Sequence, residues 1–165
     1  MTIQGTAWKY GDDVNTDVLY PGRYTYQLLP DEEIAGHALE DLDPSFAKEM
    51  RPGDILVGGW NWGVGSARQQ AVKSIKLKGT AAIIAKSFAR IYFRNCLNEG
   101  LLAITCPEVV DAIHGGETVR IDLAESVIHT SSGVFSFEPY PEYLQGLLEA
   151  GGIIPFTAAK LRSRG

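Results

Sequence analysis

Hydrophobic positions along the chain follow two rhythms. Asp54 to Val57, Ala81 to Ala85 and Leu101 to Thr105 are short, nearly unbroken apolar runs. Such runs mark strands covered on both faces. Two stretches of helical character separate them. Ala67 to Lys78 places Ala71, Val72 and Ile75 inward and Lys73, Lys76 and Lys78 toward water, and Gly79 stops it. Phe88 to Asn98 follows Ser87, a residue suited to capping, and closes at Gly100. Strand, helix, strand, helix, strand predicts a parallel α/β arrangement. The second rhythm is alternation. Thr118 to Leu123, Ser126 to Thr130 and Val134 to Phe137 alternate apolar and polar residues and are split by turns, which predicts an antiparallel meander. Ile3 to Lys9 reads as a further strand with a glycine interruption. Further helices are expected over Asp31 to Leu39, Asp43 to Met50, Pro107 to His114, Tyr140 to Ala150 and Ile153 to Arg162. Tyr24 to Leu29 is apolar and aromatic but too short to stand alone. The expected fold is one α/β domain over residues 1–165, a mixed sheet flanked by helices with a β-rich C-terminal part.

Composition narrows the function. The 165 residues are 45% hydrophobic, enough for one sizeable core. The net charge of −5 argues against a nucleic-acid surface, which needs a basic face. No run is long enough to span a bilayer, so no membrane role is expected. Met1-Thr2-Ile3-Gln4-Gly5 lacks the basic start and apolar core of a signal peptide, which points to the cytoplasm. Cys96 and Cys106 are the only cysteines and have no metal-type spacing. Two thiolates do not hold an iron–sulfur cluster, so any cluster must come from another chain.

Gly58 to Ala71 stands out between the first buried strand and its helix. Four glycines in eight residues, Gly58, Gly59, Gly63 and Gly65, let the backbone take positive φ and approach a ligand closely. Ser66 is placed to cap the outgoing helix, whose start attracts an anion. Arg68 adds a planar fork suited to a carboxylate or phosphate. The residues alone leave two readings open, an anion-binding strand–loop–helix or a plain turn with a solvated arginine. Other glycine-rich motifs do not fit. Arg68 stands where a dinucleotide fingerprint needs its third glycine, no Gly-Lys-Ser/Thr follows, and Ser66 lacks the Gly-x-Ser-x-Gly frame.

Asp12, Asp13 and Asp17 lie within six residues, and spacing leaves open a cation site or side chains that cap their own turn. His37 reads as a surface or packing residue rather than a ligand. Arg90 and Arg94 share a helix face; structural packing is the expected role, with a carboxylate, a partner subunit or nearby acids as the other possible counterparts.

Three stretches together resemble the 3-isopropylmalate dehydratase small subunits, the swivelling domain of the aconitase family. The first is Asp12-Asp13-Val14-Asn15-Thr16-Asp17-Val18-Leu19-Tyr20-Pro21-Gly22-Arg23-Tyr24, similar to Asp-x-Ile-x-Thr-Asp…Pro-x-Arg-Tyr. The second is Gly59-Trp60-Asn61-Trp62-Gly63-Val64-Gly65-Ser66-Ala67-Arg68, similar to Asn-Phe/Tyr-Gly-x-Gly-Ser-Ser-Arg-Glu-His. The third is Ala85 to Asn95, with Asn98 and Gly100 behind it.

The resemblance implies a swivelling β/α domain that works with a separate large subunit. That partner carries a [4Fe–4S] cluster, and this chain itself binds no cofactor or metal. The implied reaction is dehydration and rehydration of a small hydroxy acid, as in leucine biosynthesis. The resemblance makes Ser66 the base and Arg68 a carboxylate clamp, with Asp17 beside the substrate. Arg23, Ala67, Tyr24, Tyr26 and Leu28 complete the implied substrate-binding set, Tyr24 to Leu29 being the loop that senses the substrate's γ-substituent. Self-association of the small subunit is a further possibility.

The sequence departs from the family pattern at Ala67, where a second serine is usual, and at Gln69-Gln70, where Glu-His is usual. Trp62 replaces Phe or Tyr. The γ-sensing loop has no Arg or Lys, so an apolar substituent, as in isopropylmalate or a methylmalate, is expected over a third carboxylate. The alternatives are a dehydratase small subunit for a methylmalate or homoaconitate-type substrate, and a stand-alone anion-binding or regulatory domain without catalysis.

Overall fold

The computed structural model describes residues 1–165. The buried apolar runs become β2 (Ile55–Gly58), β3 (Ala82–Ala85) and β4 (Leu102–Thr105), and the alternating ones become β5 (Thr118–Asp122), β6 (Val127–Thr130) and β7 (Gly133–Ser136). With β1 (Thr2–Lys9) they form one seven-stranded sheet in the order β4-β3-β2-β1-β5-β6-β7. The strand β1 joins two kinds of pairing. Its first half, Thr2 to Thr6, runs antiparallel to β5, and its second half, Ala7 to Lys9, runs parallel to β2. From β1 outward, β2, β3 and β4 are parallel, while β5, β6 and β7 form the antiparallel meander. Asp54 stitches β1 to the start of β2. Its buried carboxylate accepts hydrogen bonds from the amides of Thr6 and Arg51 and from Trp8 Nε1.

Eight helices accompany the sheet: α1 (Thr16–Leu19), α2 (Asp31–Gly36), α3 (Phe46–Glu49), α4 (Gln70–Lys78), α5 (Arg90–Asn98), α6 (Pro107–Ala112), α7 (Glu142–Glu149) and α8 (Ile153–Arg162). Side-chain alternation along β2 and β3 divides the interior. Leu56 and Ile83 face a core built with Leu19, Tyr20, Phe46, Trp62, Ala71, Ile75 and Tyr92. Ile55, Val57 and Ile84 face a second core closed by Val109, Ile121, Ile128 and Phe137. Gly79 ends α4 with φ of 105°, as its place after the last helical residue predicts.

Several expected boundaries shift. The helix expected from Ala67 begins only at Gln70, with no side-chain cap, so Ser66 is not its N-cap. The helix expected from Phe88 begins at Arg90, and Ser87 does not cap it. The Ser87 hydroxyl instead accepts the Asn61 amide at 2.8 Å, which holds the neighbouring loop. The helix over Asp31 stops at Gly36, and the one over Asp43 to Met50 shrinks to Phe46–Glu49. Lys73 and Lys76 are only half exposed. Lys73 pairs with Asp31, and Lys76 Nζ donates to the carbonyls of Glu99 and Gly151.

Candidate active site

The site forms where the chain leaves β1 and β2. Residues 11–16 run beside residues 59–65 and are laced to them by backbone bonds: Gly59 N–H to Gly11 O, Asp13 N–H to Trp60 O, Gly63 N–H to Val14 O and Thr16 N–H to Val64 O. The carboxylates finish the lacing. Asp12 accepts the Trp60 amide at 2.8 Å, and Asp13 accepts Asn61 Nδ2 at 2.9 Å. The cap of α1 is Asn15, whose Oδ1 accepts Val18 N–H. Asp12, Asp13 and Asp17 therefore engage three different partners across the fold, rather than one cation or their own turn. Nowhere in the chain do three or more His, Cys, Asp or Glu side chains gather in a way that could hold a metal ion. Cys96 and Cys106 are free thiols in separate cores, and burial pushes both up from the ordinary thiol range.

The close lacing requires glycine at two places. Gly63 has φ of 81°, and a Cβ there would lie 2.1 Å from Tyr92 Cγ. Gly65 has φ of 119°, and a Cβ would lie 2.8 Å from Thr16 Oγ1. These are positions that an L side chain resists both conformationally and sterically.

Ser66 and Arg68 lie in the irregular stretch between this lacing and α4. Ser66 is exposed. Its amide donates to Thr16 Oγ1 at 3.1 Å, and its Oγ lies 3.2 Å from the same atom. Arg68 Nε donates to Ser66 Oγ at 3.0 Å. The rest of the guanidinium points inward. Nη1 donates to Thr25 Oγ1 at 2.6 Å, and Nη2 contacts the carbonyls of Thr16 and Tyr20 and the Asp17 carboxylate at 2.6 Å. The Arg68 side chain is 14% exposed and that of Asp17 is 74% exposed, so Asp17 covers the guanidinium from the solvent side. These long-range bonds explain the late start of α4. The electrostatic partner of the Ser66 hydroxyl is thus a guanidinium and not a helix end.

The other residues singled out in the sequence fall into two places. Arg23 and Tyr24 form a second cluster. Arg23 makes a two-point bond to Asp41 at 3.0 and 3.1 Å, approaches Glu40 at 3.4 Å, and lies 4.8 Å from the Tyr24 ring. The Asp41 bond raises the already high pKa of Arg23 further. Tyr24 stacks on His37 at 3.8 Å, and His37 Nδ1 meets Glu40 at 2.9 Å, a packing histidine as its sequence context indicates. Tyr26 and Leu28 stand free of the surface, fully exposed. Leu28 edges a 610 Å³ cleft with Tyr20, Gln69, Gln70, Lys73 and Ile154. Ala67 is exposed and Trp62 is buried, so the bulk of Trp62 fills the core. Thr25 ties the loop to Arg68, since its Oγ1, between Tyr24 and Tyr26 in the chain, accepts Arg68 Nη1. Sequence reasoning did not single out Thr16 or Thr25. The only signal was the position of Thr16 in the Thr-Asp pair.

A seven-stranded mixed sheet with a glycine-laced serine–arginine loop at one end defines a domain of the aconitase C-terminal type, and residues 23–109 match the family model described as the aconitase C-terminal domain. The chain belongs to the family of 3-isopropylmalate dehydratase small subunits within that class. It is 44% identical over 164 residues to the small subunit from Caldicellulosiruptor saccharolyticus, covering 98% of this chain and 94% of the relative. It is also 44% identical over 162 residues to small subunit 1 from Archaeoglobus fulgidus, covering 97% and 99%. The crystal structure of 3-isopropylmalate dehydratase from Methanocaldococcus jannaschii superposes with a TM-score of 0.93 at 38% identity, covering 99% of this chain and 98% of that one. No helix of this chain is long and apolar enough to cross a membrane.

Proposed function

We propose that this chain is the small subunit of a heteromeric hydro-lyase of the 3-isopropylmalate dehydratase type, a single domain that closes over a substrate held by a large subunit. The observation that carries this reading is the Ser66 hydroxyl at the exposed rim, with the Arg68 guanidinium donating to its oxygen at 3.0 Å. A serine is a poor base at neutral pH unless its alkoxide is stabilised. A fixed guanidinium N–H does that, and does it better once closure excludes water.

In this mechanism Ser66 Oγ takes the proton from the carbon beside a substrate carboxylate. The C–H electron pair becomes the new C=C bond as hydroxide leaves the neighbouring carbon, and rehydration runs the same steps in reverse. An iron–sulfur cluster of the large subunit would supply the Lewis acid for that hydroxyl. The donor set of this chain does not suit the group, which is why the partner is assigned it.

Arg68 meets the substrate on its solvent side. Its inner contacts to Thr25, Thr16 and Tyr20 are fixed, and the exposed Asp17 carboxylate is the partner that a substrate carboxylate replaces. Arg23 is reached by the same exchange against Asp41. Ala67 leaves room without offering a donor. Tyr24, Tyr26 and Leu28 line the approach of the γ-substituent. Residues 24–29 carry no Arg or Lys of their own, and Lys73 in the cleft beside Leu28 is already paired with Asp31, which favours an alkyl group over a third carboxylate. Leucine biosynthesis in the cytoplasm is the corresponding setting, and the two free, buried thiols suit a reducing compartment.

The test mixes this chain with the large subunit and assays isopropylmalate, methylmalates, citrate and homocitrate. Turnover should appear only on mixing and should favour the alkyl-substituted malates. Ser66→Ala should lower kcat about 10²–10⁴-fold, the usual contribution of a positioned base, with substrate binding little changed. Full turnover by that variant would remove Ser66 from the mechanism. Binding of small anions with no turnover in the mixture would favour a regulatory domain.

A further inference from the structure

Thr16 is 2% exposed, the first residue of α1, and the residue that touches both Ser66 and Arg68. Its backbone is fixed at both ends. The Thr16 amide donates to Val64 O at 2.9 Å, and its carbonyl accepts Tyr20 N–H at 3.0 Å and Arg68 Nη2 at 3.1 Å. Its hydroxyl is fixed as well. Oγ1 accepts the Ser66 amide at 3.1 Å, which occupies one lone pair. The hydroxyl hydrogen then has one acceptor in reach, Ser66 Oγ at 3.2 Å. Gly65 leaves the space for this, since any Cβ there would approach Thr16 Oγ1 to 2.8 Å.

A neutral Ser66 can donate to Thr16 or accept from it. A Ser66 alkoxide can only accept. Deprotonation therefore orients the Thr16 hydroxyl as a donor, and Thr16 and Arg68 Nε then give the alkoxide two hydrogen bonds from rigidly held groups. We infer that Thr16 is a positioning residue for the dehydratase reaction: its hydroxyl and Arg68 Nε together form a two-donor cradle that stabilises the Ser66 alkoxide. Thr16 keeps its own proton throughout. The substrate proton goes to Ser66 Oγ, and the neutral hydroxyl can then either donate to Thr16 Oγ1 or accept from it. Because both donors bind the charged form more strongly, the cradle favours the form that acts as base.

This inference rests on Ser66 being the base, and one set of assays separates the two. In the reconstituted enzyme Thr16→Val should lower kcat about 10²-fold, the cost typical of one lost oxyanion donor, with KM changed less than about threefold. Its kcat–pH profile should move to higher pH, because the alkoxide has lost a donor. Thr16→Ser should restore both the rate and the profile. If the valine is not accommodated beside Gly65, as thermal unfolding would reveal, Thr16→Ala provides the same comparison without added bulk. Unchanged kcat and profile in a folded Thr16→Val or Thr16→Ala, or equal losses in Thr16→Ser, would overturn the assignment. A fully active Ser66→Ala would instead sink the reading beneath it, whereas an inactive Ser66→Ala beside an unaffected Thr16→Val would sink the cradle alone.

Discussion

Asp43 shows how a single carboxylate can set the acid limit of this fold. Burial raises its pKa, but the Ser45 hydroxyl at 2.6 Å, the Tyr10 hydroxyl at 2.8 Å and nearby amides outweigh burial and hold it below the usual carboxylate range. A depressed folded-state value means stability that is present above the unfolded value of about 3.9 and is lost as pH falls through the folded one. Thermal unfolding should therefore show a midpoint that drops as pH falls below about 4. Asp43→Asn should cost about 1 kcal/mol at neutral pH and flatten that acid limb. An equally steep limb in the variant would assign the effect to other carboxylates, of which Glu117, held low by Ser131 and the His114 amide against its own burial, is the next candidate. At this scale the sequence was uneven in what it disclosed. Ser66 and Arg68 stand out in the sequence because they follow a glycine-rich loop, whereas Asp17 enters only through the resemblance of its Thr-Asp segment. Thr16 and Thr25 do not stand out, because their partners lie 50 and 43 residues away and nothing local marks a hydroxyl for a distant guanidinium.

At the scale of elements, the strands follow from the apolar pattern and the helix starts do not. The runs that give β2, β3 and β4 are buried on both faces, so their hydrophobicity is itself the signal. A cap rests on where one hydroxyl points, and here Ser66 and Ser87 both bond across the fold instead of to the turn that follows. The loop between β2 and α4 is thus held by long-range bonds and tight backbone contacts, and Gly63 is where this should be measurable. An alanine at φ of 81° carries roughly 1–2 kcal/mol of left-handed strain. Its Cβ would also displace Tyr92, whose hydroxyl donates to the buried Ala71 carbonyl at 3.1 Å, adding about 1–3 kcal/mol of overpacking. Gly63→Ala should lower the thermal midpoint on the order of 10 °C for a chain of this size. A midpoint within a degree of the parent would show that Tyr92 yields freely and that the loop is not rigidly seated.

The whole molecule carries a charge of −5, yet its two helical arginines on α5 have no acid beside them. Arg90 and Arg94 are exposed, make no ion pair or side-chain hydrogen bond, and border an open 510 Å³ hollow with Ser87, Phe88, Phe93, Leu97 and Thr105. Lys86, by contrast, is neutralised by Asp111 at 2.7 Å. Ile91 stands exposed on the same helix, and Trp60 and Val64 stand exposed on the loop that Ser87 and Phe88 hold in place. A rim of apolar tips and unpaired cations on an acidic chain fits a partner that offers carboxylates there, and the large subunit is predicted to dock on this face. Rim charges act mainly on association rate and salt dependence. Reversing both in Arg90→Glu/Arg94→Glu should weaken association with the large subunit about tenfold, on the scale of two exposed ion pairs lost. The salt dependence should shrink with it, while the free chain keeps its thermal midpoint. Equal affinity and equal salt dependence, read by titration at low and high ionic strength, would show that α5 faces solvent in the assembled enzyme.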